Sequence, residues 1–122
     1  MKKILVVDDS TAIRAAMRRI LETMGYAVDE AEDGARALHY CREWGMVDAI
    51  LLDVDMPVMD GITFLRELRG SPVLPQPPVV MCTTHTSFDK ITEAMGAGAD
   101  EYVMKPFSAE ILGSKLAEIG LQ

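Results

Sequence analysis

Cysteine is scarce: Cys41 and Cys82 are the only two in 122 residues. With no paired spacing and no set of histidine ligands beside them, they support neither a disulfide framework nor a metal knuckle, and they read as reduced and structural. Positive charge is also in short supply. Lys plus Arg number 12 against 19 Asp plus Glu, a formal charge of -7, so the surface should repel nucleic acid and direct binding of it is not expected. Long apolar runs are missing as well. The start, Met1-Lys2-Lys3 followed by Ile4 to Val7, is basic and then apolar, but Asp8 cuts the run too early for a signal peptide or a membrane span. A cytoplasmic protein without membrane insertion is expected. What remains is ordinary globular composition, with 49% apolar and 25% charged residues and a length that suits a single domain over residues 1–122.

Short apolar runs alternate with segments of helical period. Lys3 to Val7 predicts a strand, after which Ile13, Met17, Ile20, Leu21 and Met24 recur at helical spacing up to Gly25, giving one βα unit. Ala27 to Ala31 is a weaker strand candidate, and Asp33 can cap a helix with Ala37, Leu38 and Cys41 on its inner stripe, stopping near Gly45. Ala49 to Leu52 predicts a third strand with Asp53 at its exit, and Asp60 caps a short helix burying Ile62, Leu65 and Leu68 and ended by Gly70. Ser71 to Pro78 holds four prolines and reads as a loop. Val79 to Cys82 is a fourth run, followed by the polar stretch Thr83 to Ser87 and a helix carrying Phe88, Ile91 and Met95. Glu101 to Met104 predicts a fifth strand ending at Lys105-Pro106, and Ser108 caps a last helix on which Ile111, Leu112, Leu116 and Ile119 face inward.

Five strands alternating with five helices predict a doubly wound α/β fold, a parallel sheet with helices on both faces. In that fold every strand-to-helix loop emerges at one edge of the sheet. Asp8, Asp9, Asp53, Thr83, Thr84 and Lys105 should therefore converge on one crevice. Singly, each has a plain explanation: Asp53 can start a turn, Asp9 can cap a helix or neighbour its cap, Thr83 can be a β-branched strand end, and Lys105 an exposed charge before proline. Together they have a chemical logic. Three crowded carboxylates call for a cation or shifted pKa values, and Mg²⁺, which prefers oxygen ligands, is the natural ion. Asp53 could then attack phosphorus as a carboxylate nucleophile, with Lys105 neutralising the phosphoryl oxygens and the Thr83 hydroxyl donating a hydrogen bond to one of them.

Val6-Val7-Asp8-Asp9-Ser10, Leu52-Asp53-Val54-Asp55-Met56-Pro57-Val58-Met59-Asp60-Gly61, Thr83-Thr84 and Tyr102-Val103-Met104-Lys105-Pro106-Phe107 resemble the motifs of response-regulator receiver domains, and the likeness covers nearly the whole chain. The resemblance implies the flavodoxin-like strand order 2-1-3-4-5. It further implies that Asp53 accepts a phosphoryl group from a histidine kinase, that Asp8 and Asp9 form the acidic pocket, and that Asp9, Asp53 and the backbone carbonyl of Asp55 ligate Mg²⁺. Thr83 would be the switch hydroxyl, Tyr102 the aromatic that follows it, and Lys105 the cation before a cis proline. Thr84, His85 and Val54 depart from the residues that chemotaxis members carry at those places.

With no output segment read after the last helix, the output is expected to be a protein contact made by the domain itself. The resemblance is to single-domain regulators of the chemotaxis type. It places the docking surface on the fourth helix, fifth strand and fifth helix, including Phe88, Tyr102 and Lys115, with a flagellar motor protein or another signalling protein as the target. A phosphate shuttle or adaptor is the alternative. An Asp-nucleophile phosphatase also matches Asp53-Val54-Asp55, but its acidic pair would lie downstream of the nucleophile, and here the pair comes first. A flavodoxin-like FMN carrier would need a hydroxyl-rich loop where the first strand runs into Asp8-Asp9.

Overall fold

The computed structural model describes residues 1–45, 47–72, 76–84 and 88–121. Strands and helices alternate throughout: β1 (Lys3–Val7), α1 (Thr11–Thr23), β2 (Ala27–Ala31), α2 (Gly34–Trp44), β3 (Ala49–Asp53), α3 (Gly61–Arg69), β4 (Val79–Thr83), α4 (Phe88–Gly96), β5 (Glu101–Met104) and α5 (Ala109–Glu118). All strand pairs are parallel and the sheet order is β2-β1-β3-β4-β5, the expected doubly wound arrangement. The β3 strand runs one residue further than expected and ends on Asp53 itself.

The pleat sorts the apolar runs between two cores. Ile4, Val6, Leu51 and Val80 point to the face covered by α1 and α5, where they meet Met17, Leu21, Leu112 and Leu116. Leu5, Val7, Leu52 and Met81 point the other way, onto Leu38 of α2, Phe64 and Leu65 of α3 and Ala94 of α4. A continuous apolar run is what a strand buried on both faces requires, and each such side chain contributes about 1.5–3 kcal/mol on burial. The β2 strand reads weakly because it is an edge. Asp29 pairs with Lys3 at 3.3 Å and accepts the Tyr40 hydroxyl, and charges of this kind keep an open edge from pairing with other chains.

The caps follow the sequence. Asp33 Oδ1 accepts the Arg36 amide, Asp60 Oδ1 the Thr63 amide and Ser108 Oγ the Ile111 amide. For α1 the cap is Ser10, whose Oγ accepts from Ile13, so Asp9 is the neighbour of the cap and not the cap. The helices bury less than their apolar periodicity suggests. Ile111, expected inside, is 47% exposed, Phe88 is 80% exposed, and Ile13, Met24 and Met95 are exposed too. These apolar arcs are wider than the strip of sheet beneath them, and only their central residues, Met17 and Leu21 on α1 and Ala94 on α4, are buried. Part of the proline loop (Val73, Leu74, Pro75) and part of the polar stretch after Thr84 (His85, Thr86, Ser87) lie outside the described residues.

Candidate functional site

Strand register assembles the site. Val7 pairs with Leu52, so Asp8 leaves β1 beside Asp53 at the end of β3. Asp53 pairs in turn with Cys82, which puts Thr83 next along β4, and Thr83 pairs with Met104, which puts Lys105 just past β5. The Lys105 amide donates to the Thr83 carbonyl at 2.8 Å and ties those two ends together. The peptide bond after Lys105 is cis, as the resemblance implies.

Carboxylate oxygens of Asp8, Asp9 and Asp53 lie within 4.8 Å of one another. The Lys105 ammonium sits between two of them, with Nζ at 2.7 Å from Asp8 Oδ2 and 3.3 Å from Asp53 Oδ1. Asp8 is 2% exposed, and its other oxygen, Oδ1, accepts the Ser10 amide at 2.9 Å. Asp53 is half-buried and Asp9 exposed, so the cluster opens to solvent on the Asp9 side.

Electrostatics follow from this packing. Burial raises the Asp53 carboxyl above its ordinary value. The Lys105 charge opposes that rise, and the charges of Asp8 and Asp9 reinforce it. Burial acts to lower the Lys105 ammonium, but the hydrogen bond to Asp8 and the charge of Asp53 outweigh it and leave the group above its ordinary value. With all three carboxylates ionised, one ammonium leaves two negative charges uncompensated. A hard cation with oxygen ligands fits that donor set, and Mg²⁺ is commonly held by one or two carboxylates with waters completing its shell.

Thr83 shares the pleat parity of Met81 and faces the α4 side. There it borders a void of about 10 Å³ lined by Val54, Ile91, Ala94 and Tyr102. Tyr102 is half-buried, and the Lys115 ammonium lies 5.6 Å from the centre of its ring. Asp55 is exposed in the loop two residues past Asp53, and Thr84 is exposed at the rim. A cleft of about 760 Å³ flanks the cluster on the β2–α2 side, bounded by Arg14, Tyr40, Trp44 and Val58. None of the three carboxylates lines it, so the chemistry lies outside that cleft.

Two glycines matter here in a way the sequence reading missed. A Cβ on Gly61 would lie 2.0 Å from the Asp53 carbonyl oxygen, and one on Gly34 would lie 2.6 Å from the Met59 carbonyl oxygen. Both are places where a helix start is pressed against the loop that follows β3, a close approach that only a hydrogen side chain allows. Their amides use the proximity, Gly61 donating to Val54 O at 2.9 Å and Gly34 to Met59 O at 3.0 Å.

Comparison with known proteins agrees with this geometry. The response regulator receiver domain profile matches residues 4–117. The chain is 39% identical over 118 residues to the chemotaxis protein CheY of Pseudomonas aeruginosa, covering 96% of this chain and 94% of that one. It is 40% identical over 114 residues to the response regulator MprA of Mycobacterium tuberculosis, of which it spans only 48%. Among solved structures, the chemotaxis response regulator CheY4 of Vibrio cholerae superposes with a TM-score of 0.90 at 38% identity, covering 98% of each chain.

Proposed function

Because the chain belongs to the response regulator receiver domain family, and so is a receiver domain of a two-component system with a histidine kinase upstream and a target downstream, we propose that Asp53 is the residue that accepts the phosphoryl group. One observation carries this assignment: of the three clustered carboxylates, only Asp53 ends the central strand half-buried, with Lys105 at hand. Asp8 is sealed, with one oxygen taken by Ser10 and the other by Lys105, and Asp9 stands in solvent.

An Asp53 oxygen attacks the phosphorus of a phosphohistidine. The new P–O bond forms as the P–N bond breaks, and the bonding pair stays with the imidazole nitrogen. Lys105, already held between Asp8 and Asp53, pairs with the phosphoryl oxygens, and Thr83 donates its hydroxyl to one of them. Asp9, Asp53 and the Asp55 carbonyl would hold Mg²⁺, with Asp8 completing the acidic pocket around it, and the ion would supply positive charge against the phosphoryl oxygens. Asp8 serves mainly as the anchor that orients Lys105.

The void between Thr83 and Tyr102 supports their role as a coupled switch, since a ligand shifts a two-state protein only through contacts that differ between the states. The readout face is that of α4, β5 and α5, with Phe88 exposed and Lys115 bridging Glu101 at 3.2 Å. Similarity to chemotaxis proteins supports a cytoplasmic target of the flagellar-motor kind, with a shuttle or adaptor role as the alternative. Among the described residues no helix is long and apolar enough to cross a membrane.

Mass spectrometry after incubation with acetyl phosphate and Mg²⁺ tests the assignment. One retained phosphoryl group per chain is expected, lost in Asp53→Asn and kept in Asp55→Asn and Asp60→Asn. An adduct that persists in Asp53→Asn moves the acceptor elsewhere, and steady turnover without a retained group makes the protein a phosphatase. Thr83→Ala should still take up the phosphoryl group but lose most of the amide chemical-shift change that phosphorylation causes across residues 88–118. Wild-type-sized shifts in that variant would remove Thr83 from the switch.

A further inference from the structure

We propose that Arg14 of α1 is a positioning residue for the acidic pair, a role that rests on the Asp53 and Mg²⁺ reading above. Its side chain is 12% exposed and has three partners, the weakest being Thr11 Oγ1 at 3.4 Å from Nη2. Nη1 donates to the backbone carbonyl of Asp8 at 2.5 Å, and Nε donates to Glu30 Oε1 on β2 at 3.0 Å. The carbonyl it holds belongs to the peptide that joins Asp8 to Asp9. A turn of that peptide changes ψ of Asp8 and φ of Asp9, and φ sets the direction in which the Asp9 Cα–Cβ bond leaves the chain.

Among the described residues, no other hydrogen bond of the turn falls on that peptide. The turn's other contacts fix Asp8 alone, through its amide on the Ala31 carbonyl at 3.1 Å and its carboxylate on Ser10 and Lys105. Asp9 is exposed. Arg14 is thus the contact that carries rigidity from the sheet edge to the exposed acid, and Glu30 fixes the guanidinium in turn, itself held below the ordinary carboxylate range chiefly by its hydrogen bond to Arg18. Outer contacts of this kind orient metal ligands, and their loss typically costs 10–100-fold in metal affinity.

Position and charge predict opposite signs, and that makes the proposal testable. A guanidinium acting only as a nearby positive charge would weaken cation binding, so removing it would tighten Mg²⁺. As a positioning group, its removal must loosen Mg²⁺. The experiment titrates Mg²⁺ calorimetrically into wild type, Arg14→Met, Arg14→Lys, Glu30→Gln and the double variant Arg14→Met with Glu30→Gln, and measures acetyl phosphate labelling against Mg²⁺ concentration.

Arg14→Met is expected to raise the Mg²⁺ dissociation constant about tenfold and to raise the Mg²⁺ needed for half-maximal labelling equally, with the rate at saturating Mg²⁺ little changed. Arg14→Lys keeps the charge without the fork that reaches both partners, and should fall between wild type and Arg14→Met. The double variant should be no worse than Arg14→Met, because Glu30 acts through the arginine. Unchanged or tighter Mg²⁺ binding in Arg14→Met, with its circular dichroism intact, overturns the proposal, as does Arg14→Lys matching wild type. Should Arg14→Met fail to fold, Arg14→Lys and Glu30→Gln decide by the same readout. Wild type that neither binds Mg²⁺ nor labels on Asp53 overturns the site reading itself, and the Arg14 role with it.

Discussion

Gly61→Ala is expected to destabilise the protein by about 3 kcal/mol or more, because the added methyl has nowhere to go. Its carbon would lie 2.0 Å from the Asp53 carbonyl oxygen, 3.0 Å from the Asp53 carbonyl carbon and 3.2 Å from Val54 Cα. All three are backbone atoms of a strand exit clamped between β1 and β4, so no side-chain rotation relieves the contact. The start of α3 must back away from β3, breaking the 2.9 Å bond from the Gly61 amide to Val54 O and dislodging Asp60 from its cap on Thr63. For a domain of this size that corresponds to a fall in melting temperature of roughly 10 °C. Labelling of Asp53 should also drop, since the carbonyl pushed aside belongs to the acceptor residue. Gly96→Ala is the control: nothing lies within 4 Å of a Cβ there, and on a helix alanine is preferred to glycine, so that variant should be neutral or slightly more stable. Thermal melts of the two variants beside wild type measure the difference. A Gly61→Ala protein that melts with wild type would mean that the helix start does not press on the acceptor.

The same contact marks the boundary of what could be read from residues alone. Period and punctuation gave the ten elements, because the three central strands β1, β3 and β4 are buried on both faces and so appear as apolar runs, and because Asp33, Asp60 and Ser108 cap the helices they precede. Convergence of Asp8, Asp9, Asp53, Thr83 and Lys105 was legible too, since parallel strands return every such loop to one edge. Two kinds of information were not. Which apolar helix residues are covered depends on how wide a strip of sheet each helix lies on, and so Ile111, expected inside, ended outside. Contacts between backbone and side chain across distant segments leave no pattern: Gly61 reads as a turn glycine, and Arg14 as one more helical cation, until Asp8 and Glu30 are seen on either side of it. The expectation that crowding of the three acids would itself raise their pKa values also needs amending, since burial is the leading cause of the Asp53 shift and Lys105 works against it.

Lys105 and Asp53 should move stability in opposite directions, and that opposition follows from the one ion cluster. The folded pKa of Asp53 is raised, so the native state binds its proton more tightly than the unfolded chain does, and the ionised group costs stability at neutral pH. In EDTA, Asp53→Asn should therefore melt a few degrees above wild type. Lowering the pH from neutrality through the raised Asp53 value toward about 3.9, the ordinary carboxylate range, should narrow the gap, because wild type regains stability as Asp53 takes up its proton and Asn has none to take. Lys105 has a raised folded pKa as well, and for a cation the sign reverses: its stabilisation is complete below about 10.4 and is lost only as the pH climbs through the folded value. At neutral pH Lys105→Met removes all of it and leaves Asp8, 2% exposed, without its ion partner. Breaking a buried pair in this way costs about 3–5 kcal/mol. Mg²⁺ adds an independent check, since an ion that binds only the native state at a hundredfold over its dissociation constant stabilises by about 2.7 kcal/mol. Wild type should show that gain and Asp53→Asn less of it. In Lys105→Met the gain should be at least as large as in wild type, because the carboxylates then lack their ammonium. Melts of the three proteins in EDTA and in Mg²⁺, repeated from neutral to mildly acid pH, decide the matter. Asp53→Asn melting below wild type in EDTA at neutral pH would show that the Lys105 pair outweighs the burial of Asp53, and Lys105→Met melting with wild type would show that Asp8 does not depend on the lysine.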